Sequence, residues 1–319
     1  MEGRIALIIR CHNEEAHIGR LLTGALHQTR APDEIILVDS GSTDATISIA
    51  SAFPTRIITI PPEDFSFGRA LNVGLAASRS DFAVFASAHV YPVYDSWIEQ
   101  LVAPFDEERI ALTYGRQQAP PDGRFSEQQL LTRWFPSRSV ARQRDPFCNN
   151  ANAAIRRSVW ETLPYDEQLT GLEDLDWAKR ALDLGHELSY VAEAPVVHVH
   201  DESFHQVVNR YRREAIAHKQ IYAEHGMPLA TAVRLGVANI VGDARDARRR
   251  GVLATQLPDI VRFRGAQFYG TYRGFRQRGP VTELLRQRFY YPPDSDHRVA
   301  ADETSMGSAI DYDGPLPNR

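Results

Sequence analysis

Short apolar runs, each followed by a stretch of helical periodicity, organise the first third of the chain. Arg4–Ile9, Glu34–Val38, Arg56–Ile60 and Phe82–Ala86 are nearly continuous apolar segments bounded by polar residues. That pattern predicts strands covered on both faces, as in a parallel sheet. Between them, Ile18, Leu21, Leu22, Ala25 and Leu26 fall on one face of a helix expected to open at Asn13-Glu14-Glu15. A second helix follows a cap at Ser42 or Thr43, and a third is expected over Gly68–Ser78. Strand and helix alternate at βαβ spacing, so the fold class is α/β with a mainly parallel, Rossmann-like sheet flanked by helices.

The pattern then loosens. A helix is predicted over Trp97–Phe105, a strand over Ile110–Tyr114 and a helix over Ser126–Trp134. The Pro-, Arg- and Ser-rich connection from Pro120 to Phe147 reads as a mobile loop over a site. A short helix near Ser158–Thr162 precedes Gly171–Trp177, an acidic segment opening a helix that Gly185 ends. Glu187–Val191 and Val196–His200 complete the strand-like part. From Ser203 onward, Val207, Val208, Tyr211, Ala215, Ile216 and Ile221 take helical spacing. Three regions are expected: a body at 1–205, a helical basic region at 206–290 and a disordered tail at 291–319.

Charge sharpens that division. The net charge is −5, yet residues 204–290 hold 16 Lys+Arg against 6 Asp+Glu, and 291–319 hold 2 against 6. Arginines from Arg245 to Arg278 alternate with Phe263, Phe268, Tyr269, Tyr272 and Phe275. Two readings stand: a solvated helical face, or a docking patch for an anionic membrane surface. No nucleic-acid module signature accompanies the arginines, so nucleic acid is not expected as a partner. No apolar run reaches membrane-spanning length, and the first residues lack a leader pattern. The two cysteines, Cys11 and Cys148, fit no disulfide or metal spacing, which suggests a reducing, cytoplasmic setting.

In open α/β sheets ligands bind beyond the carboxyl ends of the strands. Those ends carry Arg10-Cys11-His12-Asn13-Glu14, Asp39-Ser40 and Ser87-Ala88-His89. No Gly-x-Gly-x-x-Gly follows the first strand and there is no P-loop, so dinucleotide dehydrogenases and P-loop enzymes fit poorly. Asn149, Asn150 and Asn152 serve either turns or hydroxyl recognition. Glu173, Asp174 and Asp176 sit at the favourable end of a helix dipole, and by themselves read first as an acidic N-cap and first turn.

In this order, the segments resemble family-2 glycosyltransferases over about residues 4–205. Ile8–Glu14 looks like the family's opening strand and Asn-Glu. Glu34–Asp44 matches its second strand and Asp-Ser-Gly-Ser-Thr-Asp turn, and Gly68–Gly74 its basic-Ala-x-Asn-x-Gly segment. Asn152–Arg157 with Trp160 is similar to the stretch leading to the acceptor side, and Glu173-Asp174 to the Glu-Asp pair. The resemblance implies the GT-A fold and inverting transfer of one sugar from a nucleotide-sugar donor to a hydroxyl of a glycan or polyprenyl-linked acceptor. It implies Asp174 as base, with Glu173 and Asp176 orienting it. Arg10, Cys11, His12, Asn13, Glu14, Asp39, Ser40, Arg69, Asn72, Ser87, Ala88 and His89 would hold the donor. Asn150, Asn152 and Trp177 would lie on the acceptor side. The Gln-x-x-Arg-Trp of processive members is missing.

One marker departs. Ser87-Ala88-His89 stands where most members carry the metal-binding Asp-x-Asp, as in a subgroup with Ser-Ala-His there. One imidazole and one hydroxyl in place of two carboxylates favour Mn²⁺ over Mg²⁺. His198 and His200 are the further ligand candidates beside His89; alternatively, His89 donates directly to phosphate without metal. Two other functions remain open: a sugar nucleotidyltransferase, which should carry a Gly-rich loop where Arg10–Glu14 lies, and a catalytically silent nucleotide- or glycan-binding member. The expected setting is bacterial surface-polysaccharide or glycolipid synthesis, at the inner membrane face.

Overall fold

A computed structural model describes residues 3–279 together with 281, 282, 285, 289 and 290. The expected tail at 291–319 lies outside the described residues. Nine strands form one sheet: β1 (Ile5–Cys11), β2 (Glu34–Asp39), β3 (Thr55–Thr59), β4 (Phe82–Ser87), β5 (Val90–Pro92), β6 (Ile110–Gln118), β7 (Val140–Gln143), β8 (Asn152–Arg156) and β9 (Glu187–His198). Their order is β3-β2-β1-β4-β8-β6-β9-β5, with β7 also on β9. The first four pair with one another in parallel, and β6 with β9 is parallel too. Antiparallel partners enter with β8, β5 and β7.

The helices are α1 (Ile18–Leu26), α2 (Thr46–Ala50), α3 (Phe67–Ala77), α4 (Trp97–Val102), α5 (Phe125–Trp134), α6 (Arg157–Trp160), α7 (Glu173–Asp183), α8 (Phe204–Ile221), α9 (Leu229–Arg249) and α10 (Leu253–Phe275). Side chains along β1 alternate between two cores. Ile5, Leu7 and Ile9 join the layer with α1 and α4, while Ala6 and Ile8 join the layer with α3 and α7. This two-sided burial explains why the strands read as unbroken apolar runs.

Two expectations shift. Helix α1 opens at Ile18 rather than Asn13, because Asn13 has φ 52° and residues 13–15 spend their hydrogen bonds on the facing loop. Asn13 N and Glu14 N donate to Ser42 Oγ and Thr46 Oγ1, and Thr43 N donates to Asn13 Oδ1. The connection at 120–147, expected as a mobile loop, contains α5 and β7.

Beyond β9, α8 opens on a capping box formed by Ser203 and Gln206. It packs closely on α10, where a Cβ added at Gly270 would lie 2.4 Å from Val208 O. The C-terminal helices are tied to α5 by a buried cluster. Arg264 donates to both oxygens of Asp243 at 2.7 and 3.0 Å, and Ser126 Oγ donates to Asp243 at 2.7 Å. Arg264 and Asp243 are 0% and 1% exposed. Removing one partner strands a buried charge, so Asp243→Ala should cost about 3–5 kcal/mol in urea unfolding. Asp243→Leu combined with Arg264→Met should recover most of that loss. No helix of the described residues is long and apolar enough to cross a membrane.

Candidate active site

The loop leaving β1 meets two polar clusters at the carboxyl ends of the strands. Just before it, near the end of β1, Arg10 Nη1 lies 2.6 Å from Glu173 Oε1, both nearly buried. Arg10 also stacks over Phe67, 5.0 Å from the ring centroid, as does Arg213 at 4.7 Å. Four residues on, Glu14 Oε1 lies 2.6 Å from His89 Nδ1.

The first cluster is the start of α7. Leu172 holds φ 54°, a left-handed conformation that is strained for a branched side chain. This turn leads directly into Glu173 and Asp174, both buried. Asp174 accepts from Leu175 N at 2.8 Å and Asn150 N at 3.2 Å. Burial, then the adjacent Glu173, push its carboxyl up to about 7, against the pull of those two donors and Arg10. A carboxylate held there is a poised proton acceptor. Asn150 Nδ2 is buried with no partner among the described residues, an unspent donor beside Asp174. Asp176 pairs instead with Arg180 at 2.8 Å on the outer side of α7.

The second cluster is His89, His198 and His200, each offering a ring nitrogen within 4.8 Å of the others. His198 stacks on His89 with centroids 5.0 Å apart. All three rings are anchored through Nδ1: His89 by Glu14, His198 by Gln117 and His200 by Glu127, each at 2.6 Å. A carboxylate only accepts, so Nδ1 of His89 and of His200 carries a proton, and Nε2 is the ring atom left for a ligand. His198 Nε2 is buried without a partner among the described residues. Burial, then the neighbouring His200 and His89, hold His198 well below the usual imidazole range, hence neutral. At His89 burial acts downward too, but the Glu14 carboxylate outweighs it and the net shift is up. Metal-ligating histidines are typically oriented in this way, by an acceptor on the other ring nitrogen. The residues present therefore fit a divalent ion. Donors bound at about 2.1 Å lie no more than ~4.2 Å apart, so a small side-chain closure completes the set.

Several residues nominated from sequence prove to be framework. Trp177 is fully buried, stacks on Tyr165 and donates to Leu163 O at 2.5 Å, so it cannot line an acceptor site. Asn152 is equally buried. It accepts from Trp97 Nε1 and donates to Arg116 O and Ala194 O, tying β8 to its neighbours. Asn72 bonds Tyr165 O, Glu167, Trp160 Nε1 and Tyr165 N, which exhausts its amide. Cys11 and Ala88 are buried, and Ser40 Oγ turns inward to Cys11 O. Asp39 is buried under its own turn, accepting from Gly41 N, Ser42 N and Ser42 Oγ. Arg69 stays half-exposed with only 3.8 Å contacts to Asp64 and Glu167, free to turn toward phosphate. His12, Asn13 and Ser87 are partly exposed at the cleft. Gln117 and Glu127 were missed. Glu127 also takes Arg210 at 3.1 Å, which together with His200 holds its carboxyl down at about 2.

The parallel half-sheet and the loop stitching at its strand ends sit inside a segment with recognisable kin, and the acid pair on α7 follows it. Residues 6–163 match the glycosyl transferase family 2 profile. The chain carries a glycosyl transferase family 2 domain. The O-antigen chain rhamnosyltransferase WbaN of Salmonella anatum is 31% identical over 202 residues, covering 60% of this chain and 64% of that relative. The O-antigen chain rhamnosyltransferase RfbN of Salmonella typhimurium is 29% identical over 227 residues, covering 67% and 72%. The match thus spans less than two thirds of the first relative's length. Among solved structures, a Pyrobaculum calidifontis mannosyltransferase in complex with GDP-Man and Mn²⁺ superposes with TM-score 0.58 at 17% identity, covering 86% of this chain and 87% of that one. That likeness places this family 2 domain, with its helical extension, in a GT-A-like fold.

Proposed function

We propose that the protein is an inverting, non-processive glycosyltransferase of bacterial surface-polysaccharide or glycolipid synthesis, with residues 1–205 as its catalytic body. The observation that carries this reading is the bridging of two clusters by the end of β1 and the loop that leaves it. Arg10 reaches the acid pair and Glu14 reaches the histidines, so a proton acceptor and a phosphate-facing group flank a common cleft. The acceptor hydroxyl oxygen bonds to the anomeric carbon as the bond from that carbon to the diphosphate breaks. Asp174 takes the hydroxyl proton, and the departing nucleoside diphosphate carries away the electron pair. Arg69, half-exposed beside the cleft, is available to the diphosphate. His89, His198 and His200 would hold a divalent ion, Mn²⁺ before Mg²⁺, whose charge offsets that of the diphosphate. The Ser87-Ala88-His89 sequence would then mark a subgroup whose metal ligands are imidazoles.

The donor is a nucleotide sugar; relatives that build O-antigen with rhamnose make a deoxyhexosyl donor the first to try. The acceptor is a glycan or a polyprenyl-linked sugar. A thermal-shift panel of nucleotide sugars with Mn²⁺ tests the reading. The true donor at a hundred times its Kd stabilises by about 2.7 kcal/mol. No response to any nucleotide sugar would overturn the donor assignment. A response without transfer or slow donor hydrolysis would favour the silent binding member.

A further inference from the structure

The C-terminal helices carry an exposed feature that the transfer chemistry leaves unused. On α9, Leu229, Val233, Val237 and Val241 are 58%, 56%, 54% and 39% exposed. They recur every fourth residue and so run as one stripe along roughly 18 Å of helix. On α10, Leu257 and Val261 are four residues apart and Tyr269 lies eight further on, past Gly265, at 39%, 46% and 53% exposure. The two helices pack side by side, with Gly236 against Phe268, and Asp243 bound to Arg264 beneath. At about 100° per residue, both stripes fall beside the line where α9 meets α10 at Gly236 and Phe268, clear of the α8 contacts of Gly270 and Gly274. They form one apolar strip across two helices. A monomer seldom leaves so ordered an apolar surface uncovered.

Arginines border it on both sides. Arg234, Arg245 and Arg248 project along the outer margin of α9, and Arg262, Arg273 and Arg276 along that of α10, all exposed. Among the described residues no carboxylate lies within ion-pair distance of any of these six arginines. Residues 229–276 contain nine arginines against three aspartates, a net charge of +6. From this arrangement we infer that α9 and α10 form a docking face for an anionic lipid bilayer, the stripe entering the headgroup boundary and the arginines pairing with lipid phosphates. Charge decides for a bilayer over a second copy of the chain. An isologous contact would press two arginine-rimmed strips together, like against like, whereas an anionic leaflet offers the complementary sign. The face is held firmly on the catalytic body. Asp243 and Arg264 grip Ser126, next in sequence to Glu127, which anchors His200.

Co-sedimentation with vesicles tests this. The full chain is expected to pellet with phosphatidylcholine–phosphatidylglycerol vesicles, to stay in the supernatant with phosphatidylcholine alone, and to release as salt rises. R234A/R245A/R248A should weaken binding roughly a hundredfold, from the usual contribution of arginines near an anionic surface. Val233→Asp with Val237→Asp should abolish it, and the milder Val233→Ser with Val237→Ser should weaken it. Because these side chains are exposed, melting temperature and donor-induced stabilisation should not change, which separates this inference from the transfer reading. Equal pelleting with neutral vesicles would overturn it, as would unchanged binding by the arginine and valine variants. Light scattering that shows a dimer in the parent and a monomer in the valine variants would assign the face to a second copy instead.

Discussion

Asp174→Asn is expected to lose transfer by roughly 10²–10⁴-fold in kcat/KM while melting at a higher temperature than the parent at pH 8. Both effects have one cause. Burial and the Glu173 charge raise the Asp174 carboxyl to about 7, so ionising it costs the folded state free energy. Between about pH 4, where the unfolded chain titrates, and about pH 7, the folded protein binds the extra proton, so stability falls as pH rises through that window. Asparagine cannot ionise and escapes the cost. The ceiling is about 4 kcal/mol from the size of the shift. Weaker acceptance from Leu175 N and Asn150 N by an amide offsets part of it, leaving a gain on the order of 1–3 kcal/mol. Parent and variant should converge in stability near pH 4. In the parent, kcat/KM should climb about tenfold per pH unit below about 7 and level above it, because only the ionised carboxylate accepts a proton. Arg10 lowers the same group, so Arg10→Gln should move the profile to higher pH. A flat profile from pH 5.5 to 8, or near-normal turnover by Asp174→Asn, would remove Asp174 from the role of base.

Much of this architecture was legible in the chain, and the misreadings share a physical origin. Strands β1, β2 and β4 stood out because two-sided burial leaves continuous apolar runs, and their polar ends marked the cleft. The histidines at 89, 198 and 200, nominated together as ligand candidates, converge because β5 pairs with β9 in a register that sets Val90 opposite His198. Residue type alone does not reveal a neighbour. Asn72 and Asn152 looked like ligands, yet their amides are consumed by backbone and indole partners brought from distant segments. Trp177 lies one turn beyond the acid pair, on the face of α7 that fills the core. Glu127 gave no local signal, since its partners His200 and Arg210 are 73 and 83 positions away. The C-terminal arginines were read as one basic block. In fact Arg264 is buried on Asp243, and the block's more informative pattern is the valine stripe between them.

The other large expectation concerns the histidine cluster. Three imidazoles supply borderline-soft nitrogen donors, which suit Mn²⁺ or a later first-row ion and suit Mg²⁺ poorly. After chelation, Mn²⁺ alone should raise the melting temperature by several degrees, while Mg²⁺ at the same concentration should leave it nearly unchanged. His198→Ala should erase the Mn²⁺ response, since its Nε2 is buried without a partner and gains most from the ion. Gln117→Ala and Glu127→Ala touch only Nδ1 of His198 and His200, yet each should weaken Mn²⁺ binding about 10–100-fold by freeing a ring to turn. Glu127→Ala should also lower stability without metal, because it leaves Arg210 buried against Glu202 alone. That separates the two second-tier residues: calorimetric Mn²⁺ titration should show similar affinity losses, and urea unfolding of the metal-free proteins a clear loss only for Glu127→Ala. Stabilisation by Mg²⁺ equal to that by Mn²⁺, or a full Mn²⁺ response in His198→Ala, would mean that the three imidazoles do not form a metal site and that His89 meets the diphosphate directly as a hydrogen-bond donor.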